Sequence, residues 1–127
     1  MNNRILLVED NEQNRYLATF LLENAGYSVV HAENGAVAVE EAPQVTPALI
    51  LMDIQMPEMD GYEAARRLLA NPAVSHVPIV AITSYAMVGD RERALEIGFS
   101  GYIEKPIEPE NFVEQIRGFL HRGKEQS

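Results

Sequence analysis

Apolar residues cluster in five short runs, at about 5–8, 27–32, 48–52, 79–82 and 101–104. The runs ILLV, ALILM and PIVAI are rich in Ile, Val and Leu and do not alternate with polar residues, the pattern of strands covered on both faces. The run from Tyr27 to Ala32 is weaker, because Ser28 and His31 interrupt it.

Between the runs the apolar spacing changes to a helical period. Tyr16, Leu17, Phe20, Leu21 and Ala25 share one stripe, with Asn11 as N-cap and Gly26 as the stop. Near the end of the chain Pro109 suits a first helical position. Phe112, Val113, Ile116, Phe119 and Leu120 form the next stripe, and Gly123 is expected to end it. Helices are also expected at about 35–42, 61–70 and 88–97, with Gly98 as a C′ residue; AVAVEEA would also suit a short strand, and NPAVSHVP reads as a loop. Five alternations of strand and helix predict a three-layer α/β fold. Its parallel sheet has right-handed crossovers and strand order 2-1-3-4-5. In such sheets ligands sit outside the carboxyl ends of the strands, at the switch point between the first and third.

Those ends carry complementary chemistry. ILLV stops at Glu9 and Asp10, ALILM at Asp53, PIVAI at Thr83, and GYI just before Glu104, Lys105 and Pro106. Three carboxylates brought together would repel by roughly 4 kcal/mol per close pair at an effective dielectric of about 20, so the crevice needs a proton or a cation. All-oxygen ligation suits Mg2+, with Mn2+ as a substitute, and the absence of Cys and of paired His argues against zinc. His31, His76 and His121 are too far apart in the chain, in contexts too different, to suggest one site. Asp53 could act as a ligand or as a nucleophile. A carboxylate ionised at neutral pH needs no base to attack phosphorus, so the remaining work is positioning and charge neutralisation. Lys105, one of two lysines, would supply a mobile positive charge, and Thr83 a hydroxyl donor.

A chain of 127 residues without cysteine is about one domain that needs no staple. The N-terminus has neither an export signal nor a membrane span, so a cytoplasmic protein is expected. With 19 acidic and 10 basic residues the net charge is −9 and the arginines are scattered, which disfavours direct nucleic-acid binding. Glu40, Glu41, Glu63 and Glu96 read as solvated helix surface.

Taken together, LLVEDN, LILMDIQMPEMDG, IVAITSYA and GYIEKPI resemble the receiver domain of two-component response regulators over about 4–121. The resemblance is closest to stand-alone receivers of the cell-fate type and to hybrid-kinase receivers. It implies a flavodoxin-like (CheY-like) fold over 1–122, with 123–127 as a flexible tail. It further implies that Asp53 accepts a phosphoryl group from a phosphohistidine on a sensor histidine kinase or a histidine phosphotransfer protein. Glu9, Asp10, Asp53 and the backbone carbonyl of Gln55 would hold Mg2+. Thr83, Ser84 and Lys105 would contact the phosphoryl group, and Tyr102 would turn inward as Thr83 moves. Gln55 and Tyr85 would tune hydrolysis, while Pro57, Gly61 and Pro106 would shape turns, with the Lys105–Pro106 bond a candidate for cis. Such a domain is a self-modifying switch and not a turnover enzyme. Its downstream effector is expected to be a protein, bound by the surface of the fourth helix, last strand and last helix. The phosphodonor would dock on the first helix near Tyr16 and Leu17.

Other classes fit less well. Haloacid-dehalogenase-like phosphatases want a second Asp where Gln55 stands. A flavin module would not crowd its phosphate loop with Glu9, Asp10 and Glu12. The alternative in kind is a phosphorylation-independent receiver-like interaction domain.

Overall fold

The computed structural model describes residues 2–54, 61–83 and 89–126, with side chains to His121. Its elements are β1 (Arg4–Val8), α1 (Glu12–Asn24), β2 (Ser28–Ala32), α2 (Gly35–Val45), β3 (Leu49–Asp53), α3 (Gly61–Leu69), β4 (Ile79–Thr83), α4 (Asp90–Ile97), β5 (Gly101–Glu104) and α5 (Pro109–Gln126). All strand pairs are parallel and the order is β2-β1-β3-β4-β5, as the alternation predicted.

Every residue of β3 and β4 is buried, because helices cover both faces of the sheet. Successive residues feed opposite cores. Leu6, Val8, Ile50, Met52 and Ala81 pack toward α2, α3 and α4. Ile5, Leu7, Leu49, Leu51, Val80 and Ile82 pack toward α1 and α5. Two full layers of apolar contact therefore clamp the strand ends from which the polar residues project.

Local signals account for most boundaries. The Asn11 side chain accepts from the Asn14 N–H, and Asn34, not anticipated as a cap, accepts from the Val37 N–H. Gly26 and Gly98 have φ of 98° and 124°, the left-handed region expected of residues that stop helices. AVAVEEA is helical, within α2, and NPAVSHVP is a loop anchored by buried Val74 and Val77.

Two expectations need correction. Gly123 does not end α5, whose backbone continues to Gln126. A lone glycine costs a helix only about 1 kcal/mol relative to alanine and cannot stop one unaided. The α1 stripe is also out of phase with the core. Ala18 and Leu22 are buried, with Leu17 and Leu21 packed beside them, while Tyr16 and Phe20 are 74% and 56% exposed. The apolar arc of α1 is wider than the face the sheet can cover. On α3 the division is clean: Tyr62, Ala64, Ala65 and Leu68 are buried, while Glu63 pairs at the surface with Arg66 and Arg67.

Candidate functional site

The register of the sheet assembles the crevice. Val8 lies opposite Met52 and Asp53 opposite Ile82, so the residues ending β1, β3 and β4 emerge side by side. Main-chain hydrogen bonds hold each exit: the Glu9 N–H donates to the Ala32 carbonyl (3.3 Å), that of Ile54 to Ile82 (3.2 Å) and that of Lys105 to Thr83 (2.7 Å). The Lys105–Pro106 peptide is cis. Glu9, Asp53 and Thr83 are buried polar residues, while Asp10 is exposed at the rim.

Lys105 joins the two buried carboxylates. Its Nζ donates to Glu9 Oε1 and Oε2 at 2.8 and 3.1 Å and to Asp53 Oδ2 at 3.3 Å. A buried ammonium with two carboxylate partners satisfies the rule that interior charge must be paired. The pairing is incomplete for Glu9. Burial raises its pKa to about 7 from 4.5, the Lys105 hydrogen bond pulls against that shift, and the adjacent Asp53 carboxyl adds to it.

Glu9, Asp10 and Asp53 each offer a carboxylate oxygen, and these atoms lie within 4.8 Å of one another. Opposite oxygens around Mg2+ stand about 4.2 Å apart, from ligand distances of about 2.1 Å, so a small closure of this set meets the need of a hard dication. The donor chemistry fits: oxygen only, two ligands buried, one open to water.

Gly61 is more than the turn former it was expected to be. A Cβ there would stand 2.6 Å from Ile54 Cα and 2.8 Å from the Asp53 carbonyl oxygen. The start of α3 thus packs directly on the acceptor's own backbone, which only a residue without a side chain permits. The sequence signal was a glycine opening a helical pattern eight residues after the acceptor.

Tyr102 is partly buried against the core beneath α3 and α4, and its hydroxyl is buried without a hydrogen-bond partner among the described residues. Burial, followed by the Asp90 carboxylate, pushes the phenol above its ordinary pKa. Arg93 on α4 stacks 4.2 Å over the Tyr62 ring, which meets Phe99 edge-on at 6.1 Å. Of the other predicted residues, Gln55, Pro57, Ser84 and Tyr85 lie outside the described residues. The His31 Nε2 is 2.8 Å from Thr19 Oγ1, on the wall of a groove of about 330 Å3 that Tyr16 and Phe20 also line.

Among the described residues no helix is long and apolar enough to cross a membrane. The family model for the response regulator receiver domain matches residues 5–117. A polar-differentiation response regulator DivK from Brucella anthropi is 41% identical over 120 residues, covering 94% of this chain and 98% of that protein. The receiver domain of a sensor histidine kinase from Pseudomonas aeruginosa, solved with magnesium coordinated in its active-site cleft, is 35% identical. It has a TM-score of 0.86 over 95% of this chain and 99% of its own. A CheY-like receiver from Methanospirillum hungatei reaches a TM-score of 0.91 at 25% identity over the full length of both chains.

Proposed function

Because this chain belongs to the response regulator receiver domain family of two-component signalling, we propose that it is a phosphorylation-dependent switch whose acceptor is Asp53. The observation that carries this reading is the convergence of Glu9, Asp10 and Lys105 on the Asp53 carboxylate at the end of β3.

In the proposed reaction an Asp53 oxygen attacks the phosphorus of a phosphohistidine. The new O–P bond forms as the P–N bond breaks, and the electron pair leaves with the imidazole. Glu9, Asp10 and Asp53, with the Gln55 carbonyl, would hold Mg2+, which when bound offsets the negative charge brought in by the phosphoryl oxygens. Lys105 neutralises another oxygen as a flexible point charge, and Thr83 donates its hydroxyl. Ser84 would contact the same group, and Gln55 and Tyr85 would govern the approach of water to the acyl phosphate. Hydrolysis of that acyl phosphate resets the switch without turnover of a free substrate.

The donor is a cytoplasmic sensor histidine kinase or histidine phosphotransfer protein. Docking beside α1 is supported by the exposed Tyr16 and Phe20 and by their groove, since α1 begins directly after the Glu9-Asp10 rim. Output passes through a protein effector on the α4-β5-α5 face, where the half-buried Tyr102 sits on β5, the strand that pairs with the end of β4 carrying Thr83. Acetyl phosphate with Mg2+ should label the wild-type chain once and leave Asp53→Asn unlabelled, as read by intact-protein mass spectrometry. A wild-type chain that takes up no phosphoryl group, or an Asp53→Asn chain that labels equally, would sink the proposal.

A further inference from the structure

Helix α4 is weakly seated. Of its eight residues only Ala94 is buried, and Gly89 before it offers no side-chain cap. A helix with one buried anchor and an uncapped start belongs to the low-stability end of a protein, where rearrangement costs least. Its neighbour α3 grips it at both ends. In the first turn of α3, the Tyr62 ring takes the Arg93 guanidinium on its face at 4.2 Å. The same ring meets Phe99, the residue after the C-cap Gly98, edge-on at 6.1 Å. At the far end of α3, Leu69 closes on Gly98, where a Cβ would stand 2.7 Å from Leu69 Cδ1.

The start of α3 in turn rests on the acceptor. Gly61, the residue before Tyr62, donates its N–H to the Ile54 carbonyl at 3.4 Å and leaves no room for a methyl group against Ile54 Cα and the Asp53 carbonyl oxygen. Close-packed contacts of this kind transmit a displacement instead of absorbing it. A shift of the Asp53–Ile54 backbone therefore reaches Tyr62 within one helical turn, and reaches α4 through Arg93 and Phe99. That line of contacts runs through neither Thr83 nor Tyr102. We propose that Tyr62 is a positioning residue of the switch, coupling the backbone of Asp53 to the seat of α4 by a route separate from Thr83 and Tyr102. This rests on the reading of Asp53 as the phosphoryl acceptor. The ring carries the coupling, through its face to Arg93 and its edge to Phe99, so phenylalanine can replace Tyr62 and an aliphatic side chain cannot.

The test labels the full chain with acetyl phosphate and Mg2+, fixes the occupancy by intact-protein mass spectrometry, and compares backbone amide shifts with those of the unlabelled chain. Wild type, Tyr62→Phe, Tyr62→Leu and Arg93→Ala are measured at equal occupancy. Wild type and Tyr62→Phe should show the same shift changes along α4. In Tyr62→Leu and Arg93→Ala the α4 changes should fall by at least half, while those of Ile54 and Tyr102 keep their size. Arg93 is exposed, so Arg93→Ala tests the coupling even if Tyr62→Leu fails to fold. Full-sized α4 changes in Arg93→Ala would overturn the proposal. So would an equal loss in α4 and β5, which marks general loosening, or a loss in Tyr62→Phe as large as in Tyr62→Leu, which assigns the effect to the hydroxyl. These three results leave Asp53 standing as the acceptor, whereas a wild-type chain that takes up no phosphoryl group would overturn both readings.

Discussion

Replacing Gly61 with alanine should loosen the acceptor as well as the fold. The added methyl would lie 2.6 Å from Ile54 Cα, 2.8 Å from the Asp53 carbonyl oxygen and 3.0 Å from Ile54 Cγ2. Non-bonded carbons rest at about 3.5–4.0 Å, so the overlap is about 1 Å, and the two nearest atoms are backbone, which cannot rotate aside. Either the first turn of α3 or the Asp53–Ile54 segment must retreat. Overpacking of this kind costs about 1–3 kcal/mol, partly offset by up to about 1 kcal/mol from alanine's better helix propensity. A net loss of about 1–2 kcal/mol should therefore appear in urea denaturation. Mg2+ affinity and the rate of acetyl-phosphate labelling should fall with it, because the displaced backbone carries Asp53. Gly26→Ala is the matched control. Gly26 has φ 98° with nothing within 4 Å of its Cβ position, so alanine there should cost a similar 1–2 kcal/mol, roughly the left-handed penalty, without touching the site. The reasoning fails if Gly61→Ala is as stable as wild type, or if it loses stability yet labels and binds Mg2+ as Gly26→Ala does.

Further predictions concern charge, docking and α4. Glu9 has a folded pKa of about 7 against 4.5, so the native metal-free chain keeps a proton that the unfolded chain releases; this stabilisation is complete below pH 4.5 and is lost as pH rises through 7. Glu9→Gln should flatten the stability profile over that window; identical slopes for the two chains would contradict it. Tyr16→Ala with Phe20→Ala should slow labelling by a phosphohistidine donor protein about tenfold or more, as loss of exposed aromatic anchors does, while acetyl-phosphate labelling stays unchanged. An equal effect on both donors would place the two aromatics outside the docking surface. Arg93→Ala should cost about 0.5–1 kcal/mol and weaken amide-exchange protection in α4 before that in α3, because the guanidinium stacks on Tyr62 from the α4 side. Unchanged protection would show that the stack does not hold α4.

Much of this protein is legible in one dimension because its main signals are local. Non-alternating apolar runs mark strands buried on both faces, Asn11 caps α1 with its own side chain, and the strand order then brings Glu9, Asp10, Asp53, Thr83 and Lys105 to one edge. Periodicity determined which elements form, and local caps such as Asn11 and Gly26 marked some of their ends, though Gly123 did not end α5. The pattern could not determine how wide a face of α1 the sheet would cover, and so it placed Tyr16 and Phe20 on one stripe with Leu17 and Leu21, although both face solvent. Nor could it foresee that Gly61 would press on the backbone of Asp53, or that Lys105 would take Glu9, 96 positions away, as its closer partner. Those outcomes depend on distances of a few tenths of an ångström between segments far apart in the chain. Only the packing of β1, β3 and β5 with α3 decides them, because contact energies fall off with spatial separation and are blind to sequence separation.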